Sequence, residues 1–598
     1  MIKSILTSVL LATAAVQASP ALTERAVENA NNNDAYTLPK SDRNPRARAA
    51  EIEVKRKGWQ YSEFPMGVAY YPTGTLANKT IAKDEETWFP PIAKKAEATA
   101  RESPIALEAI KAKGGLNKLE DYIYLYEDQW AESFPEGPIP GIMTNFTDDR
   151  TFSMMRLSAS PYRLQRVKPT DKLLFPVDDA AAITGLSLKQ LQAQGRLFLE
   201  DFSEMKELDP TDKFGAGCQG YFYIHPKSGD FLPLAVRPLV KGREDSALVY
   251  TPKDSANDWM LAKMLLNQND GWHTTWAHIT QSHSAAEIPY LAAIRTLSEN
   301  HPVLVMLHRI EKTPWNIRPL LQNGVEAGAA PDSGPAYYAW TSRSGRTWAN
   351  QVYESGEVAN FQSNYYRTFL ENRGLINSRF GPALKSFPFY EDVAVITESI
   401  REFMTTFINS YYSSDRAVAQ DSELQAWQRE TDVAKVYDFP ESIKSRRTLI
   451  DILTHQAYLG GIVHGVMSTN GAIGDTTSLP FAPAGFRQPI PTKKGVKDIM
   501  EFMPTAEGAV WQVVTYAAAN RYSWKDTNET ISYMFEDQAM LSRMTPQTRE
   551  AAKKFKADMD AFSVEIRART FDKDGLNRGM PFQWNVMDPN WAPYWSVV

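Results

Sequence analysis

Between residues 272 and 283 the chain reads Trp272-His273-Thr274-Thr275-Trp276-Ala277-His278-Ile279-Thr280-Gln281-Ser282-His283, which sets three of its eight histidines five residues apart. Imidazole is a common metal ligand, and histidines at i and i+4 share one face of a helix. At steps of five, each pair points about 140° apart on an ordinary α-helix. Such a pair can serve one ion only where the helix carries an extra residue, a π-bulge, and such bulges occur mostly at functional sites. By spacing alone, 273/278 and 278/283 are equivalent. His464 stands in Gly460-Gly461-Ile462-Val463-His464-Gly465-Val466-Met467-Ser468-Thr469-Asn470, closing an apolar helix that starts near Leu449. A lone histidine on such a face is ordinarily a core residue. Beside two histidines on a bulged helix it becomes a third candidate ligand, and three imidazoles suit iron, manganese, zinc or copper.

These residues need a scaffold, and the chain of 598 residues can supply a large core. A net charge of −6 without a long basic run excludes an electrostatic footprint for nucleic acid. Met1-Ile2-Lys3, the apolar run Ile5 to Val16 and Val16-Gln17-Ala18 read as a secretory signal peptide over 1–18. The run is too short to span a bilayer, so no stable membrane insertion is expected. Residues 19–50, with Asn29 to Asp34 and Arg43 to Arg48, read as a disordered or processed leader. Residues 51–598 show no linker or repeat and are read as one domain and one monomeric unit. The sequons at Asn78, Asn145 and Asn528 fit a secreted glycoprotein. With Cys218 as the single cysteine, no intramolecular disulfide can form, and a multi-ligand metal site must rest on nitrogen and oxygen.

Apolar periodicity of three to four residues predicts helices over Asp258 to Leu265, Glu287 to Leu297 (strained by Pro289), Glu391 to Tyr412, Arg446 to Val466, Gly508 to Ala519 and Thr545 to Arg569. Strand patterns are few, at Gly220 to His225 and Leu232 to Arg237, and residues 322–346 read as a loop. The expectation is a mainly α protein with a minor β component.

Several motifs resemble the lipoxygenase family over roughly residues 60–598. They are Trp259-Met-Leu-Ala-Lys263, His273-x4-His278-x4-His283-x3-Glu287 and Leu297-Ser-x-x-His301-Pro302, with weaker echoes in Ser160-Pro161-Tyr-Arg-Leu-Gln-Arg166 and Leu232-Pro-Leu-Ala235. The resemblance implies a large helical catalytic domain, here without room for an N-terminal PLAT β-barrel. It implies that the second and third histidines of the block, His278 and His283, bind the metal with His464 and the terminal carboxylate of Val598. His273 and Glu287 then support the site, and His301 is structural. Many members carry asparagine four residues after the third histidine; this chain has Ser468, whose shorter side chain suits a bridging water. The signal peptide, the sequons and the missing β-sandwich resemble the secreted fungal branch, where manganese is used; iron is the alternative.

The activity so implied is dioxygenation of a polyunsaturated fatty acid of the linoleic or linolenic type. A bis-allylic hydrogen atom is removed at an oxidised metal centre, O2 adds to the pentadienyl radical, and a hydroperoxide leaves. Arg521 is the candidate partner for the fatty-acid carboxylate. Counting without gaps from His301, the family's stereocontrol position falls on Leu321, which would narrow access. A catalytically silent lipid-binding relative is the alternative, with Ser468 and Leu321 as its signs. A zinc hydrolase is more remote, because no His-Glu-x-x-His pair is present.

Overall fold

The computed structural model describes residues 35–62, 71–133, 141–158, 161–315, 338–355, 359–469, 478–519 and 525–596. The longer helices are labelled here α1 Pro45–Gly58, α2 Thr75–Ala112, α3 Ala256–His278, α4 Ala285–Thr296, α5 Pro302–Ile310, α6 Ser342–Glu354, α7 Pro388–Tyr411, α8 Ser422–Val433, α9 Arg446–Tyr458, α10 Ala506–Ala519 and α11 Pro546–Arg567. Strands β1 Gln60–Ser62 and β2 Tyr71–Thr73 form a small antiparallel pair; β3 Gln165–Arg166, β4 Leu197–Asp201, β5 Gly217–Ile224 and β6 Phe231–Leu239 form an antiparallel sheet in that order.

The mainly helical architecture with a minor sheet matches the sequence pattern, and the starts of the helices have local causes. Asn44 accepts from Ala47 N ahead of Pro45 in α1, and Ser255 accepts from Asp258 N at α3. Pro289 does not end α4, which runs on to Thr296. Two expectations are corrected. The leader read over 19–50 is too long: Tyr36 is buried, α1 begins at Pro45, and Arg48 is buried against Glu423 and Asp42. Burying a guanidinium needs such paired carboxylates, and the Glu423 partner comes from α8, far along the chain. Of the loop read over 322–346, residues 322–337 lie outside the described residues, whereas 342–346 are the first turn of α6. There Thr341 caps the helix by accepting from Ser344 N.

The sheet is buried on both faces, and the period of two sorts its side chains. Phe198, Phe222 and Ile224 face the main core, while Leu197, Leu199, Tyr221 and Tyr223 face a smaller cluster with Phe175 and Leu188. α3 lies on the main-core side. A Cβ at Gly220 would come 2.7 Å from Leu266 of α3, so glycine lets the strand approach.

α3 is buried nearly all round, which is the pattern of a central helix rather than of an amphipathic surface helix. Several of its polar side chains are bonded. Asp258 accepts from Gly495 N and Val496 N. Lys263 donates to Asp149 (2.8 Å), and Trp259 Nε1 donates to the same carboxylate (2.7 Å). Asn267 bridges Arg156 and Phe481 O, and Asn269 bridges Cys218 N and Ala216 O. The Trp259-to-Lys263 motif is thus an anchor for the helix.

α6 closes over the C-terminal part of α3. A Cβ at Gly345 would sit 2.1 Å from a Trp276 ring atom, so the indole occupies the space a side chain would take. Gly345→Val is expected to destabilise the fold by about 1–3 kcal/mol through overpacking. Urea unfolding followed by tryptophan fluorescence reads this; an unchanged midpoint would mean that Trp276 moves aside freely.

Candidate metal centre

α3 ends at His278, the backbone becomes π-helical over Ile279–Ser284, and α4 resumes at Ala285. Hydrogen bonds reaching five residues back widen the turn, so five residues complete about one revolution. The step from His278 to His283 thereby brings both rings to one side. Where the ladder changes register, side-chain hydroxyls bond nearby carbonyls: Thr280 Oγ1 to Ala277 O (2.9 Å), Ser282 Oγ to His278 O (2.6 Å) and Ser284 Oγ to Ile279 O (3.1 Å). The step from His273 to His278 lies in regular α-helix, so those two rings diverge.

The third imidazole also lies in a π-helical region. α9 gives way to π segments at Leu459–Val463 and Gly465–Thr469, which flank His464. Ring centroids are 5.7 Å apart for His278 and His283, 5.9 Å for His278 and His464, and 4.8 Å for His283 and His464. One nitrogen from each ring falls within 4.8 Å of the other two. His283 and His464 are buried; His278 is partly so.

Hydrogen bonds fix which nitrogens are offered. His278 Nδ1 lies 3.0 Å from Thr274 O, a group that only accepts, so Nδ1 carries the proton and Nε2 keeps its lone pair. His283 Nδ1 lies 2.8 Å from Glu287 Oε1, one turn along, and the carboxylate orients that ring in the same way. Three imidazoles that each turn one nitrogen toward the other two, with no thiolate, form a donor set for a borderline divalent ion.

His273 is left out. It is fully buried and meets Phe202 and Trp348 edge-on, at centroid distances of 6.0 and 5.8 Å. Burial first, then the charges of Arg163 and Arg373, hold its pKa well below the usual histidine range. It is a neutral packing residue on α3. His301 caps α5: its Nδ1 accepts from Val303 N and its Nε2 meets Asp421 at 3.2 Å.

The chain end passes beside the His464 helix as far as it is described. Tyr594, Trp595 and Ser596 are buried; Tyr594 N donates to Glu529 O and Trp595 Nε1 to Glu529 Oε2. A Cβ at Gly461 would meet Tyr594 O at 3.1 Å, and one at Gly460 would meet Ser596 Oγ at 3.5 Å. The glycine pair lets the tail run close by. Val598, Arg521 and Leu321 lie outside the described residues, as does the side chain of Ser468, whose backbone belongs to the second π segment. Asn78 and Asn528 are exposed and Asn145 is partly so. Sequence reasoning missed Glu311. It is buried at the end of α5, and burial first and then Glu287 push its carboxyl well above the usual range. Nothing in the residues around it signals that placement.

A family model described as Lipoxygenase matches residues 180–323 and 377–587. The chain is 38% identical over 574 residues to a manganese lipoxygenase of Fusarium oxysporum, covering 94% of this chain and 92% of that one. It is 37% identical over 572 residues to a manganese lipoxygenase of Colletotrichum gloeosporioides, covering 94% and 93%. A solved structure described as manganese lipoxygenase superposes with a TM-score of 0.88 at 35% identity, covering 94% of this chain and all of that one.

Glu287→Gln is expected to weaken metal binding by about 10–100-fold, because the partner that orients His283 loses its charge. Competition with a metal chelator measures it. Affinity equal to the parent's would show that Glu287 only fills a polar pocket.

Proposed function

The chain belongs to the lipoxygenase family, a dioxygenase acting on fatty acids, and we propose that it is a secreted manganese enzyme that converts linoleic- or linolenic-type acids to hydroperoxides. The observation that carries this reading is the convergence of His278, His283 and His464 from two π-interrupted helices. The names of the manganese lipoxygenases it is similar to support manganese over iron.

In this reading His278, His283 and His464 hold the ion through Nε2, with the Val598 carboxylate and Ser468 completing the set. The buried tail up to Ser596 supports that role for Val598, since an anionic terminus enters a core only beside a cation. Manganese, when bound, supplies the one-electron chemistry that removes a bis-allylic hydrogen atom. The residues described here do the rest by position. Thr274 O and Glu287 hold two imidazoles in one tautomer, so no ring shifts a proton when charge at the site changes. The apolar walls around α3, α4 and the His464 helix exclude water from a radical intermediate. Arg521 pairs with the fatty-acid carboxylate, and Leu321 narrows access for dioxygen or substrate. Residues 1–18 act as the export signal; Asn78, Asn145 and Asn528 carry glycans; and the protein works as a monomer.

Elemental analysis of the purified protein with an ultraviolet assay for conjugated diene on linoleate tests the whole reading. One manganese per chain and diene formation are expected; a protein that binds no transition metal and yields no diene would sink it. His283→Gln is expected to lose the metal while His273→Gln keeps it, as read by the same elemental analysis, and the reverse result would overturn the choice of pair. Extending the chain by one residue beyond Val598 is expected to abolish turnover by displacing the carboxylate. Full activity of the extended protein would remove Val598 from the ligand set.

A further inference from the structure

Two turns beyond His283 on α4, Tyr290 is buried with its hydroxyl 2.6 Å from Nδ1 of His308. Seven residues of helix span about 10 Å and return to nearly the same face. His308 stands on α5 with its side chain one-third exposed, and its Nε2 meets Glu299 Oε2 at 3.1 Å. Glu299 in turn bonds Lys55 at 2.7 Å, and Lys55 also donates to Leu297 O. The order of donors follows from the ends of this chain. Lysine and the Glu299 carboxylate fix His308 Nε2 as a donor, which leaves Nδ1 as the acceptor of the phenol proton.

The Tyr290 ring also has electronic neighbours. It stacks on Trp315 with centroids 5.4 Å apart and planes at 14°, and Trp315 meets Trp59 at 5.5 Å. The three rings lead from α4 to the end of α1. Among the described residues, no acceptor meets Trp315 Nε1. A phenol gives up an electron readily only if its proton can leave at the same moment, and of Tyr290 and Trp315 only Tyr290 has a base in place. Hydrogen bonding to a partly exposed imidazole, rather than to a backbone carbonyl, also gives the proton a way out.

We infer that Tyr290 is a redox-active tyrosine, paired with His308 as proton acceptor, that discharges oxidising equivalents arising at the three-histidine site when no fatty acid is bound. The oxidant is an organic hydroperoxide, the product class of the proposed reaction, and the inference rests on that reading. One electron leaves Tyr290. Its O–H bond breaks, and the proton bonds Nδ1 of His308. At the three-histidine site that electron and one solvent proton cleave the hydroperoxide O–O bond, giving an alkoxyl radical and water. Trp315 and Trp59 extend the electron path to the end of α1. Burial first, and then the negative charge of Glu299, keep the resting phenol protonated, as the scheme needs.

The test is freeze-quench electron paramagnetic resonance on the manganese-loaded full chain mixed with a fatty-acid hydroperoxide and no fatty acid. A radical signal whose hyperfine pattern collapses on labelling with ring-deuterated tyrosine is expected. It should vanish in Tyr290→Phe and decay faster in His308→Gln, with metal content unchanged in both. Loss of the manganese(II) signal in Tyr290→Phe, where no tyrosine electron returns to the centre, reports separately that the centre reacts with hydroperoxide. If that loss occurs while the parent protein shows no tyrosyl radical, or if Tyr290→Phe keeps the radical, the inference fails while the dioxygenase reading stands. If manganese(II) persists in Tyr290→Phe, the dioxygenase reading fails. In that case oxidation of the same protein by a one-electron photo-oxidant still decides the tyrosine: a radical lost in Tyr290→Phe supports the assignment, and a radical kept there overturns it.

Discussion

A change of helical register between His278 and His283 is the constraint on which the site depends. On a regular helix two histidines five apart face away from each other; the π segment Ile279–Ser284 turns them together. Such a segment gives up regular α-helical bonding, and the sequence around it offers substitutes. Thr280, Ser282 and Ser284 each place a hydroxyl on a carbonyl in or beside the segment. Without them, buried carbonyls with fewer partners would each cost about 1–3 kcal/mol. Thr280 and Ser282 between the histidines, and Ser284 just after them, are therefore part of the device that aligns them.

Around that register the rest of the core acts as a mould. α3 is buried nearly all round, so its position is set by contacts that cannot slide: Gly220 admits Leu266 on the sheet side, and Gly345 admits Trp276 under α6. Its charged and amide side chains are matched one by one, with Arg156 between Glu200 and Asp270 as the most enclosed case. Buried groups of this kind tolerate one arrangement, because an unpaired partner would be left in a medium that cannot solvate it. The same logic brings the chain end inward. Glycines at 460 and 461 let Tyr594 and Ser596 lie along the His464 helix, and Glu529 takes the tail's amide and the Trp595 indole.

Much of this was legible from residue types. Helices α3, α4, α7, α9, α10 and α11 overlap the stretches read from apolar periodicity, whereas α2, the longest described, was not read; both named strand patterns lie in the sheet, apart from His225, which follows β5. Less legible was what depends on distant partners. Arg48 looks like a solvated leader residue until Glu423 of α8 meets it, and the Gly-rich stretch before 346 looks like loop until Trp276 explains Gly345. Glu311 and the Tyr290–His308 pair carry no local signal, since each is defined by what packs against it.

The sequence by itself determined that the histidines five apart needed an extra helical residue and that the ligands would be imidazole and oxygen, because spacing and residue type fix angle and donor chemistry. It also carried the motifs that mark the family. Spacing alone left 273/278 and 278/283 equal. Only the tertiary structure decided between them by geometry, since a ring's direction depends on where the backbone turns from α to π. That point lies after His278, where His464 arrives from a distant helix, and no local pattern of residues encodes such a meeting.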